Sequence, residues 1–190
     1  MRLTLDYRYN ERKPKLIGDA MKIRLETLTQ GDFENLYAFE VKNRAYFEKT
    51  VPSRGDDYYE LPNFIRKNDM LLEEQAQQLS YFYLIKNELE EIIGRINVID
   101  IDKDQRLGHI GYRVGKEFSG KGVAHTALEL VLDLMRQQGM LIIEAQTTTN
   151  NLASQKVLEK NGFKQLDRSG ESFEMNGQNF TFTYYRWINS

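Results

Sequence analysis

Apolar and polar positions change rhythm several times along the chain, and each change outlines an element. Met21–Glu26 (MKIRLE) alternates and predicts a strand. Thr29 with Asp32 three residues on predicts a helix start with an acidic first turn, and Phe33, Leu36, Tyr37, Phe39 and Glu40 continue it as an amphipathic helix. Val51–Asp57 (VPSRGDD) has the composition of a loop, and Leu61–Gln78 reads as a second helix. Tyr81–Lys86, Glu91–Ile101 and Leu107–Val114 are rich in β-branched and aromatic residues with short polar turns between them, which predicts an antiparallel meander. Val123–Gln138 places Ala127, Leu128, Val131, Leu132 and Met135 at helical spacing and stops at Gly139. Met140–Ala145 reads as a short buried strand and Asn150–Lys160 as another helix, closed by Asn161-Gly162. Phe163–Met175 and Gln178–Ile188 flank Asn176-Gly177, a strong hairpin signal. The order is β-α-α-β-β-β-α-β-α-β-β, an α+β sheet with one βαβ crossover.

Composition narrows the class. The 190 residues make one domain, taken as 21–190, preceded by an extension of residues 1–20. In that extension Leu3, Leu5, Tyr7 and Tyr9 alternate, as an edge strand or arm would, with Met21 as an alternative natural start. There are no cysteines, which excludes disulfides, thiolate zinc sites and a thiol acyl-enzyme. The net charge of −2 is too balanced for binding to bulk nucleic acid. No apolar run approaches the ~20 residues of a membrane span, and the start lacks a signal-peptide stretch, so a cytoplasmic location is expected.

Candidate chemistry concentrates at Gly111–Ala124, where a strand ends, glycines follow and a helix begins. Free amides at a helix start, approached closely because of glycines, form a cradle for phosphate. Arg106, Arg113, Lys116 and Lys121 stand close by in sequence against Glu117, which favours an anionic ligand. The alternative is a glycine-rich turn with no ligand. A P-loop reading fails because Gly122 follows Lys121 where Ser or Thr must hold magnesium, and a dinucleotide fingerprint fails because its third glycine falls on His125.

Ser119-Gly120-Lys121-Gly122-Val123-Ala124 is similar to the coenzyme-A loop of the GNAT acetyltransferases, Arg/Gln-x-x-Gly-x-Gly/Ala, matching at Gly122 and Ala124. Ser119 stands where Arg or Gln is usual, which removes one phosphate contact. Lys22-Ile-Arg24-Leu25 with Leu28-Thr29-x-x-Asp32, then His109-Ile-Gly111-Tyr112, then Asn151-Leu-Ala-Ser154 leading to Glu159-Lys160-Asn-Gly162-Phe163, follow in the order of the RimJ/RimL-like group. From about Met21 to Ile188 the chain resembles that group, the ribosomal-protein N-terminal acetyltransferases and their relatives.

The resemblance implies a mixed, mostly antiparallel sheet of about six to seven strands with about four helices and a splayed central parallel pair. It implies direct transfer from acetyl-CoA to a primary amine in a ternary complex, without a metal, by a monomer or homodimer. Ser119, Gly120, Lys121, Gly122, Val123 and Ala124 would hold the diphosphate, and the main chain of Tyr112, Arg113 and Val114 the pantetheine arm. Asn151 would contact the arm, and Ser154 would protonate the departing sulfur. Leu158 occupies the position of a tyrosine acid used by many relatives. For the base, His109 lies where histone-acetylating members carry a glutamate, Glu144 on the facing strand is a second candidate, and a water chain is a third. His125 is assigned to packing or capping.

The acceptor expected is a protein N-terminal amine, with a polyamine or aminoglycoside-like amine, or acyl-CoA binding without turnover, as alternatives. An α-amine of pKa about 8 is roughly a tenth neutral at pH 7 and a lysine about once in 2,500, a difference of ~3.3 kcal/mol that a strong base would have to supply. The segment Ser53–Gln75 carries Asp56, Asp57, Glu60, Asp69, Glu73 and Glu74 against Arg54, Arg66 and Lys67, with Tyr58, Tyr59 and Phe64 interleaved. It reads either as an acidic, aromatic acceptor wall or as a solvated helix with its aromatics in the core.

Overall fold

The alternation at Met21 becomes strand β1 (Ile23–Thr27), which leads through a 3-10 turn into helix α1 (Phe33–Phe47). The Asp32 carboxylate accepts from the Thr29 amide at 3.0 Å and from its hydroxyl at 2.6 Å, fixing the chain where it enters the helix. A second 3-10 turn (Asp56–Tyr59) precedes α2 (Leu61–Ala76). Then come β2 (Tyr81–Asn87), β3 (Ile92–Asp102), β4 (Leu107–Val114), α3 (Val123–Gln137), β5 (Ile142–Thr148) and α4 (Leu152–Lys160). The chain finishes with β6 (Lys164–Gln165), β7 (Ser172–Met175) and β8 (Gln178–Ile188). This computed structural model describes residues 21–49, 51–168, 170–175 and 177–189; the extension expected at residues 1–20 lies outside them.

The described strands form one eight-stranded mixed sheet in the order β1-β2-β3-β4-β5-β8-β6, with β7 also paired to β8. Strands β1 to β4 are antiparallel, β4 and β5 are parallel, and β8 returns antiparallel to β5. The eighth strand, one more than the seven read from the sequence, arises because Phe163–Met175 divides into β6 and β7. Arg168 N–H closes a tight turn on Leu166 O at 2.9 Å, and the pieces on either side pair with different parts of β8.

Helices α3 and α4 lie on one face of the sheet over an apolar core of Ile85, Ile96, Val98, Ile110, Leu128, Val131, Ile143, Tyr185 and Trp187, all buried. On the other face α1 and α2 cover β2 and β3 through Leu36, Phe47, Phe64, Phe82 and Leu84. That second layer leaves the middle of β4, β5 and β8 uncovered, with Gly111, His109 and Gln146 exposed.

Candidate active site

The parallel pair runs from Leu107 opposite Ile142 to Ile110 opposite Ala145 and ends there. Both strands continue, β4 to Val114 held only by β3 and β5 to Thr148 held only by β8. Hydrogen-bond parity decides what faces the opening. Gly115 N–H bonds Ile93 O at 2.9 Å, and stepping back by two along the antiparallel register spends the polar groups of Arg113 and Gly111 on β3 as well. Tyr112 and Val114 therefore turn their amides toward β5. The same counting from Thr149 N–H on Thr181 O at 2.9 Å turns Gln146 and Thr148 toward β4. Of the three residues expected to line the gap by main chain, Arg113 is corrected: its backbone bonds to β3. Gln146 and Thr148 went unnoticed because a polar run at the end of an apolar strand reads as loop.

Beyond β4, Lys116–Phe118 make a 3-10 turn and Ser119–Gly122 lead into α3. Gly120 and Gly122 have φ of 75° and 81°, a left-handed geometry that costs other residues about 1–2 kcal/mol, and a side chain there would meet open space. Thr126 N–H closes the first turn on Gly122 O at 3.0 Å, so the amides of Val123, Ala124 and His125 have no helical carbonyl to reach. The helix start thus presents outward-facing donors at its positive end. The loop is tied to α1 by two residues that the sequence did not reveal. Asn43 Oδ1 accepts from Lys116 N–H at 2.9 Å, and Tyr46 donates to Ser119 Oγ at 3.0 Å. Gly115 permits the approach, since a Cβ there would sit 3.1 Å from the Phe39 ring.

The basic cluster expected around this loop is smaller in space than in sequence. Arg106 sits at the far end of β4, about 25 Å away for eight residues of strand. Arg113 points to the α1 face, where it bonds Glu40 at 3.0 Å. Lys116 and exposed Lys121 remain, and Glu117 is occupied by Lys42 at 3.0 Å.

Helix α4 opens where β5 ends. Asn151 is its N-cap, its Oδ1 accepting from Ser154 N–H at 3.2 Å, and Thr148 O takes both Asn151 N–H at 3.0 Å and Gln155 Nε2 at 2.9 Å. The Ser154 hydroxyl lies 3.0 Å from the Tyr112 hydroxyl, a bond reaching from β4 to α4. Burial pushes the Tyr112 phenol up to about 12, so it is a neutral donor at any working pH. The family resemblance implies a role for the Tyr112 main chain alone; nothing in the sequence places its side chain against a helix forty residues later. His125 Nδ1 is 2.8 Å from the Asn161 amide, which ties α3 to α4 as packing requires.

On the opposite face, His109, Glu144, Arg186 and Lys164 form a row across β4, β5, β8 and β6. His109 Nε2 is 3.7 Å from Glu144 Oε2, with the imidazole 46% exposed. Arg186 Nε donates to Glu144 Oε1 at 2.9 Å, so this carboxylate already serves a guanidinium. Farther along β4 is a second cluster: buried Glu40 bonds both buried Arg95 at 3.3 Å and half-buried Arg113 at 3.0 Å, two cations sharing one carboxylate.

The expected acidic wall does not form as a unit. Asp56 pairs with Arg44, Glu60 accepts from Asn63, and Tyr58 and Phe64 are buried in the core. What opens between the 54–58 loop and α2 is a cavity of about 400 Å³ lined by Arg54, Tyr58, Lys67, Asn68, Leu71 and Glu74. Among the described residues, no group of three or more histidine, aspartate or glutamate side chains is placed to hold a metal ion, and no helix is long and apolar enough to cross a membrane.

Comparison with known proteins agrees with this geometry. Residues 22–164 match the acetyltransferase (GNAT) domain family. The probable N-acetyltransferase YjcK of Bacillus subtilis is 29% identical over 165 residues, covering 85% of this chain and 90% of its own. The ribosomal protein uS5-alanine N-acetyltransferase of Escherichia coli is 26% identical over 175 residues, covering 90% of this chain and 89% of its own. The solved ribosomal-protein-S5-alanine acetyltransferase of Vibrio fischeri superposes with a TM-score of 0.81 at 22% identity, covering 88% and 93% of the two chains. Other solved chains of this fold hold coenzyme A or acetyl-CoA, one of them with spermine. The chain belongs to the GNAT family and is an N-acetyltransferase that uses acetyl-CoA.

Proposed function

We propose that the acceptor is the α-amine of a polypeptide N-terminus, attacked directly while both substrates are bound. The observation that carries this reading is the parting of β4 from β5 beyond Ile110 and Ala145, with the Tyr112 and Val114 amides facing the opening. A thioester lying there has main-chain donors beside its carbonyl, the arrangement that stabilises charge developing on oxygen. The amides from Gly120 to Ala124, with Lys116 and Lys121 near them, suit the diphosphate.

The amine nitrogen forms the new C–N bond, the C–S bond breaks, and the sulfur leaves as thiolate. Ser154 supplies a proton or hydrogen bond to that sulfur, and the Tyr112 hydroxyl, 3.0 Å from Ser154 Oγ and 3.4 Å from the Ser154 carbonyl oxygen, holds the serine in place. Asn151 holds Ser154 in register by capping the helix. The amine's own proton leaves to water or to His109, whose exposed imidazole shares the face on which the acceptor arrives. Glu144 is paired to Arg186, and His109 stands 3.7 Å from the same carboxylate with its imidazole 46% exposed. An α-amine, already about a tenth neutral at pH 7, suits such a site better than a lysine.

The test is thiol release from acetyl-CoA with a panel of peptides blocked or free at the N-terminus, together with spermine and an aminoglycoside. Release that needs a free peptide α-amine supports the reading. Turnover confined to the small amines, or none with any acceptor despite tight coenzyme A binding, overturns it.

A further inference from the structure

Three glycines lie inside the described strands, and two of them have a reason in the packing. A Cβ on Gly94 would stand 2.8 Å from Arg113 O, and one on Gly108 would stand 2.9 Å from Val98 Cγ1. Gly111 has no such reason. Its φ lies outside the left-handed region, and a Cβ there would meet nothing within 4 Å. Glycine in a strand interior costs stability relative to alanine, and it often marks a place that another molecule approaches closely. The register identifies that place. Ile110 is the last residue of β4 paired with β5, so Gly111 is the first beyond the parting. Ile110 and Tyr112 turn their side chains into the α3–α4 layer, whereas His109 and Arg113 turn theirs to the other face. On the face from which the acceptor arrives, Gly111 therefore interrupts the row of side chains, between an exposed imidazole and a guanidinium held by Glu40. The polar groups of Gly111 are spent on β3, so what it offers is space and not a hydrogen bond.

We propose that the space over Gly111 receives the carbon next to the reacting nitrogen, so that this residue decides whether an amine branched at that carbon is acetylated. The inference rests on the reading of a polypeptide α-amine as acceptor and adds the residue that admits it. The Tyr112 amide beside the thioester carbonyl belongs to the same planar peptide unit as the Gly111 α-carbon. The carbonyl oxygen is then about 3 Å from that amide, and the attacking nitrogen about 3–3.5 Å from the carbonyl carbon. For an amine arriving from the uncovered face, its first carbon comes to lie close above Gly111. An α-amine on any first residue other than glycine is branched at that carbon, which carries both a side chain and a carbonyl. The terminal amines of spermine and of a lysine side chain carry a plain CH2 there. The methyl group of Gly111→Ala would take the volume that the branch needs and hold the nitrogen back from the carbonyl. A misplacement of about 1 Å costs on the order of a hundredfold in rate.

The experiment measures thiol release from acetyl-CoA by wild type, Gly111→Ala and Gly111→Val with two peptides that differ only in beginning with Ala or Gly. Wild type is expected to use both. Gly111→Ala is expected to lower kcat/KM at least tenfold for the Ala peptide and less than threefold for the Gly peptide, and Gly111→Val to widen that difference. Coenzyme A affinity by calorimetry should stay within twofold and Tm should not fall, since the added side chains meet open space on a strand. An Ala-to-Gly ratio unchanged in both variants overturns the proposal, whether the two peptides lose activity together or not at all. A wild type that rejects the Ala peptide while using the Gly peptide overturns it too, as does a loss of coenzyme A affinity that accounts for the loss of turnover. If peptides are not substrates but small amines are, the acceptor reading falls by itself, and 2-aminobutane against 1-aminobutane replaces the peptide pair. Loss confined to 2-aminobutane in Gly111→Ala then keeps the proposal, and equal loss overturns it. No release with any amine overturns both.

Discussion

Toward α3 and α4 the sheet meets a continuous apolar layer from Tyr83 to Trp187, with Leu128, Val131, Met135 and Ile143 fully buried. Toward α1 and α2 the apolar layer is smaller and is followed, nearer β4, by buried Glu40 and Arg95 with half-buried Arg113, the His109 row and the polar cavity. On the first face no buried side-chain polar atom among the described residues lacks a partner. The second has surplus positive charge, three buried side-chain polar atoms without a partner among the described residues (Tyr58 Oη, Asn68 Oδ1 and Asn97 Oδ1) and an uncovered strand pair. One face holds the sheet together, and the other tolerates the irregularity that a reaction needs.

That contrast is broken most severely at Glu40. Glu40→Gln leaves two guanidinium groups without their carboxylate in a buried place and is expected to cost about 3–5 kcal/mol in urea unfolding. Replacing all three residues together by Leu or Met should restore most of that loss. On the apolar face, Leu128→Ala is expected to cost about 2–5 kcal/mol, with kcat/KM per folded molecule unchanged. A large change in KM for the amine in Leu128→Ala would show that the two faces are not separable.

Ser154→Ala, at the boundary between the faces, should lower kcat at least tenfold, about 1.4 kcal/mol of barrier, while coenzyme A affinity and Tm stay near normal. Unchanged turnover would remove the serine from sulfur protonation. At the outer edge of the α1 face, Lys86→Met should cost about 1 kcal/mol, since Lys86 lies 3.2 Å from Asp32 and bonds Glu26. The Lys86 hydrogen bond holds the Glu26 carboxyl below its usual range. A lowered folded pKa stabilises above the unfolded pKa of about 4.3 and is lost as pH falls through the folded one. The difference between wild type and Lys86→Met should therefore close below about pH 4. An alkaline effect has the opposite sense. Burial raises Tyr112 and Tyr83 to about 12, so their contribution is full below the unfolded value near 10 and declines as pH rises toward 12.

Much of the architecture was legible because its elements follow local patterns. Alternation marked β1 and the meander, helical spacing marked α3, and the glycines of 120–122 marked the loop to its start. What escaped depended on distant partners. The end of β5, Gln146–Thr148, has no apolar signature and is a strand only because β8 pairs with it. Phe163–Met175 carries one strand's worth of β-formers but is interrupted at Leu166–Arg168. At the site, Asn151 and Ser154 were legible from the resemblance of Asn151–Phe163 to the RimJ/RimL-like group, and they lie together at the start of α4. The Tyr112 hydroxyl beside Ser154, Arg113 turned away to Glu40, and Arg54 with Lys67 in place of an acidic wall required the sheet register to be known.

The claim on which the rest depends is that the Tyr112 and Val114 amides, and not that of Arg113, face the space where the acetyl donor binds. Residue-resolved amide hydrogen exchange, with and without coenzyme A, tests it directly. The account predicts fast exchange at Tyr112 and Val114 in the free protein, slowing at least tenfold when coenzyme A binds, with Arg113 protected in both states. Exchange at Tyr112 and Val114 that is slow in the free protein, or unaltered by saturating coenzyme A, would contradict it.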